Sequence, residues 1–200
     1  RIVRFLAFIG LPLSVLLYFT AGEVTLILFG DQWMPSIPIF RILTLSVGIQ
    51  IVLSSSGSIF QAAGDTKSLF VCGLFSSVLN VAGILLGIFR IGTLQAVATC
   101  ITLTFTVNFV QCYWMMYRVT LHRSLRHFAV QLVSPLAVSV LLIAVLYPLS
   151  LLTEGGNIFL TLIVKSIIFF CIFGCYIQLT GEYDIIGKAK GILNKRKSRG

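Results

Sequence analysis

Long apolar stretches separated by short polar ones recur six times along the chain, at residues 2–20, 38–62, 68–89, 94–117, 128–152 and 157–179. Each holds about 20 mostly apolar residues, the length at which a helix crosses the hydrocarbon core of a bilayer. A further apolar piece, residues 24–29, follows Ala21-Gly22-Glu23 and is too short to span. It is predicted to lie at the membrane surface. Gly64-Asp65, Gly92, His122-Arg123 and Gly155-Gly156 punctuate the gaps, as turn-forming residues do between regular elements. The predicted fold class is all-α: a polytopic membrane helix bundle with six transmembrane helices.

Composition sharpens this picture. The chain is 58% hydrophobic and 10% charged, with a mean hydropathy of +1.02. A soluble chain carries about 25% charged residues, so this one has too few to cover its own surface in water. A soluble enzyme, a secreted disulfide module and a disordered chain are all excluded. The net charge of +9 is explained by placement. If six spans put both ends on one side, that side receives Arg1, Arg4, Lys67, Arg118, Arg123, Arg126 and the six cations between Lys188 and Arg199. The other side receives Arg90 and the acids Glu23, Asp31 and Glu154. Cations gather on cytoplasmic loops, so both ends are predicted to be cytoplasmic. In residues 181–200, Ile185, Ile186, Ala189, Ile192 and Leu193 recur at helical spacing among lysines. This basic amphipathic tail is expected to rest on anionic membrane lipids. No aromatic stacking platform adjoins those lysines, and nucleic-acid binding is not expected. The chain starts with Arg1 rather than Met, and its first apolar run is too long for a signal peptide. A fragment of a longer protein is expected.

Catalytic spacing is missing: GxSxG, HExxH and GxxxxGKS do not occur. Cys72, Cys100, Cys112, Cys171 and Cys175 all lie in apolar helices without a CxxC pair, and are read as small buried packing residues. No enzyme, cofactor or metal site is expected. What remains is polarity inside helices, which lipid makes costly and which faces protein or a water-filled cavity. At 100° per residue, Gln50, Ser54, Gly57 and Gln61 form one stripe of the second helix. Arg41, Thr44, Gly48 and Ser55 form nearly the opposite one. Such a helix is predicted to be central, packed on one side and wet on the other. Arg41 has two readings. It snorkels outward or pairs with Asp31 or Glu23, or it faces a cavity and grips a phosphate with its planar fork of donors. Lys165 lies about 12 Å inside the sixth helix, at 1.5 Å per residue from Asn157. There it needs an interior partner or a cavity, unless its stem carries the charge outward. Gln50 and Gln61 join Arg41 and Lys165 as candidate substrate contacts. Asn80, Gly83 and Gly87 share a face with Cys72 and Ser76, and the GxxxG spacing predicts close helix packing. The fifth and sixth helices look peripheral, and no acid is placed mid-helix.

The order of these features carries a family resemblance. An apolar helix with internal Pro12 leads to FGDQW at residues 29–33 and FRIL at residues 40–43; QAAGDT follows at residues 61–66, and then Asn80 midway along the third helix. This resembles the C-terminal half of a polysaccharide or O-antigen flippase of the Wzx/PST type, in the multidrug/oligosaccharidyl-lipid/polysaccharide exporter superfamily. The GDT turn also occurs in multidrug exporters of that superfamily. The resemblance covers residues 1–125, read as four helices of the C-terminal transporter lobe. Residues 126–180 would add two C-terminal helices, and residues 181–200 the tail. The resemblance implies residence in a bacterial cytoplasmic membrane, an absent N-terminal lobe, and alternating-access transport of an undecaprenyl-pyrophosphate-linked oligosaccharide. Arg41 and Lys165 would meet the pyrophosphate. A drug or cation antiporter of the same superfamily and a non-transporting membrane scaffold are the alternatives.

Overall fold

The structure is a computed structural model describing residues 2–121, 125–153 and 155–180. The tail at 181–200, His122, Arg123 and Glu154 lie outside the described residues. Among the described residues there are no strands, and six helices are long and apolar enough to cross a membrane. They are α1 (Ile2–Phe29), α2 (Ile37–Ala62), α3 (Thr66–Leu86), α4 (Leu94–Met115), α5 (Leu125–Leu152) and α6 (Ile158–Thr180). Single π-helical turns, Gly87–Ile91 and Met116–Thr120, extend α3 and α4.

One predicted boundary fails. Residues 24–29 are not a separate surface piece but the last turns of α1, which is 28 residues long. At 1.5 Å per residue that is about 42 Å, more than a bilayer core of about 30 Å requires. Gly22 does not interrupt the helix, because one glycine costs only about 1 kcal/mol against alanine. The flanking hydroxyls of Thr20 and Thr25 donate to the carbonyls of Leu16 and Ala21 without leaving helical geometry. The helix ends at Gly30 instead, where φ is +81°, a conformation that favours glycine. The 3-10 turn Asp31–Ser36 follows, and Pro38 sits in the first turn of α2, where its missing N–H removes no bond.

The most extensive contact in the bundle joins α1 and α2. Gly10, Ser14 and Gly48 bring the two backbones together: a Cβ on Gly48 would stand 2.8 Å from the Gly10 carbonyl oxygen. The Ser14 hydroxyl accepts a bond from the Gly48 N–H. On its other flank α2 meets α4, where the Tyr113 hydroxyl donates to the Val52 carbonyl at 2.8 Å and Thr102 donates to the Ile42 carbonyl at 3.2 Å. Thr44, Gly48 and Ser55 are buried in these contacts. Helix α3 lies against α4: the Thr104 hydroxyl donates to Asn80 Oδ1 at 2.7 Å, Gly83 faces Thr104, and Gly87 faces Val97.

Helices α5 and α6 pack on α1, and α5 also touches the π-helical turn that ends α4. This agrees with the expectation of a peripheral pair. Both present apolar faces outward, while α1 is their support, and it shares the centre of the bundle with α2. Cys171 and Cys175 are exposed on α6 rather than buried, whereas Cys72 and Cys112 are buried as expected.

Candidate functional site

The α1–α2 and α5–α6 connections meet at one end of the bundle. Between them lies a cavity of about 410 Å³. Helix α1 supplies Tyr18, Phe19, Gly22 and Glu23, α2 supplies Arg41, α5 supplies Tyr147 and Ser150, the turn after it supplies Thr153, and α6 supplies Thr161 and Lys165. Two candidate residues that stand 124 positions apart in sequence thus line one cavity. The Arg41 guanidinium lies beside Gly22 of α1 at this cavity. A Cβ there would come within 3.9 Å of an Arg41 guanidinium nitrogen. Among the described residues Arg41 forms no ion pair with Asp31 or Glu23.

Lys165 is 4% exposed. Its ammonium forms an ion pair with Glu23 and donates to the Phe19 carbonyl at 3.0 Å. The pair is nearly dry, with the two side chains 5% and 13% exposed. A buried lysine without a partner would be strongly destabilising, and a paired one is tolerated. Glu23 belongs to α1 itself rather than to the turn read for Ala21-Gly22-Glu23, near the end of the helix and not mid-helix. Glu23 is six residues from the end of α1, about 9 Å along the axis. Sequence reading missed it because Ala21-Gly22-Glu23 looks like a turn and its partner stands 142 residues away. Among the described residues the cavity is therefore mixed in charge, with two cations and one acid, and apolar helices form its outer surroundings.

The other candidates lie elsewhere. Gln50 lines a second cavity of about 350 Å³ between α2, α3 and α4, with Ser54, Ser56, Gly57, Ser76 and Asn108. Its amide donates to the Ser46 hydroxyl at 2.8 Å. Gln61 is exposed and lines neither cavity. Asn108, which sequence reading did not single out, is 8% exposed and its Oδ1 has no hydrogen-bond partner. Its apolar neighbours on α4 concealed it.

At the opposite end of the bundle, Asp65 closes the α2–α3 turn. Gly64 takes φ +73°, and one oxygen of Asp65 accepts the Ser68 N–H at 3.0 Å, capping α3. The other accepts the Thr120 hydroxyl at 2.6 Å, tying the turn to the end of α4. Bonds from Ser68 and Thr120 hold this carboxyl below the usual carboxylate range.

Comparison with known proteins gives the geometry a context. A family described as "Polysaccharide biosynthesis protein" matches residues 1–38, which contain the FGDQW segment. The chain is also similar to the teichuronic acid biosynthesis protein TuaB of Bacillus subtilis (strain 168), 25% identical over 117 residues. That alignment takes in 58% of this chain and 24% of TuaB, so the chain spans about a quarter of its relative's length. No solved structure matches. The matches support the likeness to a polysaccharide flippase-type protein over part of the chain. With six apolar helices, they mark a multi-pass membrane protein related to polysaccharide biosynthesis.

Proposed function

We propose that the protein carrying this chain moves a lipid-linked oligosaccharide, of the undecaprenyl-pyrophosphate type, across a bacterial cytoplasmic membrane by alternating access. The single observation that carries this reading is the convergence of Arg41 and Lys165 on one cavity beside apolar helices. Such a site suits an amphipathic guest. Guanidinium and ammonium donors can hold phosphate oxygens, while the lipid tail stays against apolar surface. The transport reading needs no bond to be made or broken, so the residues act by binding and release rather than as an enzyme.

Residues 1–125 and 126–180 would form part of the C-terminal lobe, working against an N-terminal lobe of the same protein. Both ends of this chain would be cytoplasmic, with the tail at 181–200 held by anionic lipids. Gln50 would offer hydrogen bonds to sugar hydroxyls, and Gln61 would meet substrate only near the opposite face.

One observation favours a second reading, a cation or drug antiporter: a carboxylate, Glu23, does line the cavity. Its ion pair with Lys165 leaves little negative charge to attract a cation, so the flippase reading is preferred. The test is Arg41→Ala in the full-length protein, with surface polysaccharide measured at matched expression. Loss of one bidentate charge-assisted contact predicts a fall of about tenfold or more. Normal polymer levels would overturn the role of Arg41 and, with it, this use of the cavity.

A further inference from the structure

The reading above leaves Glu23 unexplained, since an acid beside two cations weakens a site for anions. Resting on that reading, we propose that Glu23 is the cavity's resident counter-anion. It occupies Lys165 while the cavity is empty, yields it to a diphosphate, and reclaims it as the diphosphate departs.

Three observations lead there. First, Lys165 is held from two sides by different kinds of acceptor. The Phe19 carbonyl belongs to the α1 backbone and is fixed, whereas the Glu23 carboxylate sits on rotatable bonds. Glu23 can therefore swing away while Phe19 keeps the ammonium in place. Second, an ammonium has three donors and these two partners use two, so Lys165 can begin to engage a guest before Glu23 lets go. Third, Arg41 lines the same cavity and forms no ion pair among the described residues. It offers a first landing point that requires no exchange.

Charge sets the direction. Arg41, Lys165 and Glu23 sum to +1 with the pair closed. A diphosphate diester carries about two negative charges, so it overmatches this sum and must compete with Glu23. Without the acid the sum is +2, which such a guest neutralises. Glu23 therefore lowers affinity, and in doing so prevents a site of two cations, with Lys165 buried and Arg41 exposed, from becoming a trap. A transporter needs release as much as capture, because binding that is uniformly tight lowers turnover. The empty state also needs the acid, because a desolvated lysine without a partner destabilises the fold.

The experiment uses the full-length protein in phosphatidylcholine nanodiscs, with farnesyl diphosphate and inorganic pyrophosphate as probes. Glu23→Gln is expected to bind farnesyl diphosphate about tenfold more tightly than the unaltered protein. It should release the probe more slowly and support less surface polymer. Its thermal midpoint should rise more on probe addition than that of the unaltered protein, because the probe supplies the missing countercharge. Glu23→Asp should retain near-normal affinity, and Glu23→Gln with Lys165→Gln should bind weakly. Unchanged or weaker binding by Glu23→Gln overturns the proposal, as does a variant that cannot be recovered even with the probe present. A gain limited to farnesyl diphosphate points to a lipid-borne diphosphate, and a gain shared with pyrophosphate to the diphosphate group alone; either supports it. Arg41→Ala separates the two ideas. If it binds the probe normally, the anion site itself fails. If it binds weakly while Glu23→Gln is unchanged, only the counter-anion role fails.

Discussion

Single residues here do two jobs when the chain brings a distant partner to them. Asp65 caps α3 through Ser68 and ties α4 through Thr120. Its carboxyl is held below its ordinary value of 3.8, so it binds a proton less readily folded than unfolded. The stability this contributes is fully present above pH 3.8 and is lost as pH falls through the lowered folded value. Asp65→Ala should therefore lower the thermal midpoint of the full-length protein at neutral pH. The gap from the unaltered protein should narrow as the buffer is taken below that range. A gap that stays constant with pH would mean that the charged form of Asp65 is not what matters. The cap was half legible in sequence, since Asp before a helix is an N-cap signal. The bond to Thr120 was not, because 55 residues separate the two.

Helices were the most legible level, since a run of apolar residues is a local property that needs no knowledge of the partner. Their limits and neighbours were less so. Gly22 reads as punctuation, yet it lies inside an unbroken helix, beside the Arg41 guanidinium. Helix α2 provides an internal comparison between two glycines. A Cβ on Gly48 would press on the Gly10 backbone and the Ser14 hydroxyl at 2.8 Å, whereas one on Gly57 meets nothing within 4 Å. Gly48→Ala should destabilise the α1–α2 contact by about 1–3 kcal/mol, the usual cost of overpacking. Gly57→Ala should be neutral or stabilising by up to about 1 kcal/mol, through helix propensity. Thermal or denaturant unfolding of both variants checks this, and equal effects would show that the backbone approach carries no energetic weight. Periodicity puts these two glycines on opposite stripes of α2 but does not say which stripe is packed, because that depends on what α1 places opposite them.

At the scale of the molecule, connections alternate between two ends. The Gly64-Asp65 turn and the end of α4 share one end, joined by Thr120. The α1–α2 and α5–α6 connections share the other, around the Arg41 and Lys165 cavity. Cysteines introduced at Gly64 and at Gly156 should therefore react with a membrane-impermeant maleimide from opposite sides, while labelling from one side only would break the six-span order. The candidate site was legible as a set of expensive charges but not as a place. Arg41 and Lys165 stood out because lipid penalises them. Their convergence, and the pairing of Lys165 with Glu23, depend on α6 folding back against α1.

That return of α6 also imposes an order on synthesis. Glu23 precedes Lys165 by 142 residues. At about 5–20 residues per second, the ribosome takes about 7 to 30 s to produce the partner. During that interval α1 carries a carboxylate without its counter-ion into a medium that resists bare charge. The first helix of this chain is thus committed to the membrane on credit from the last. A polar or protein-lined insertion site that holds the Glu23 end of α1 until α6 arrives would meet this need.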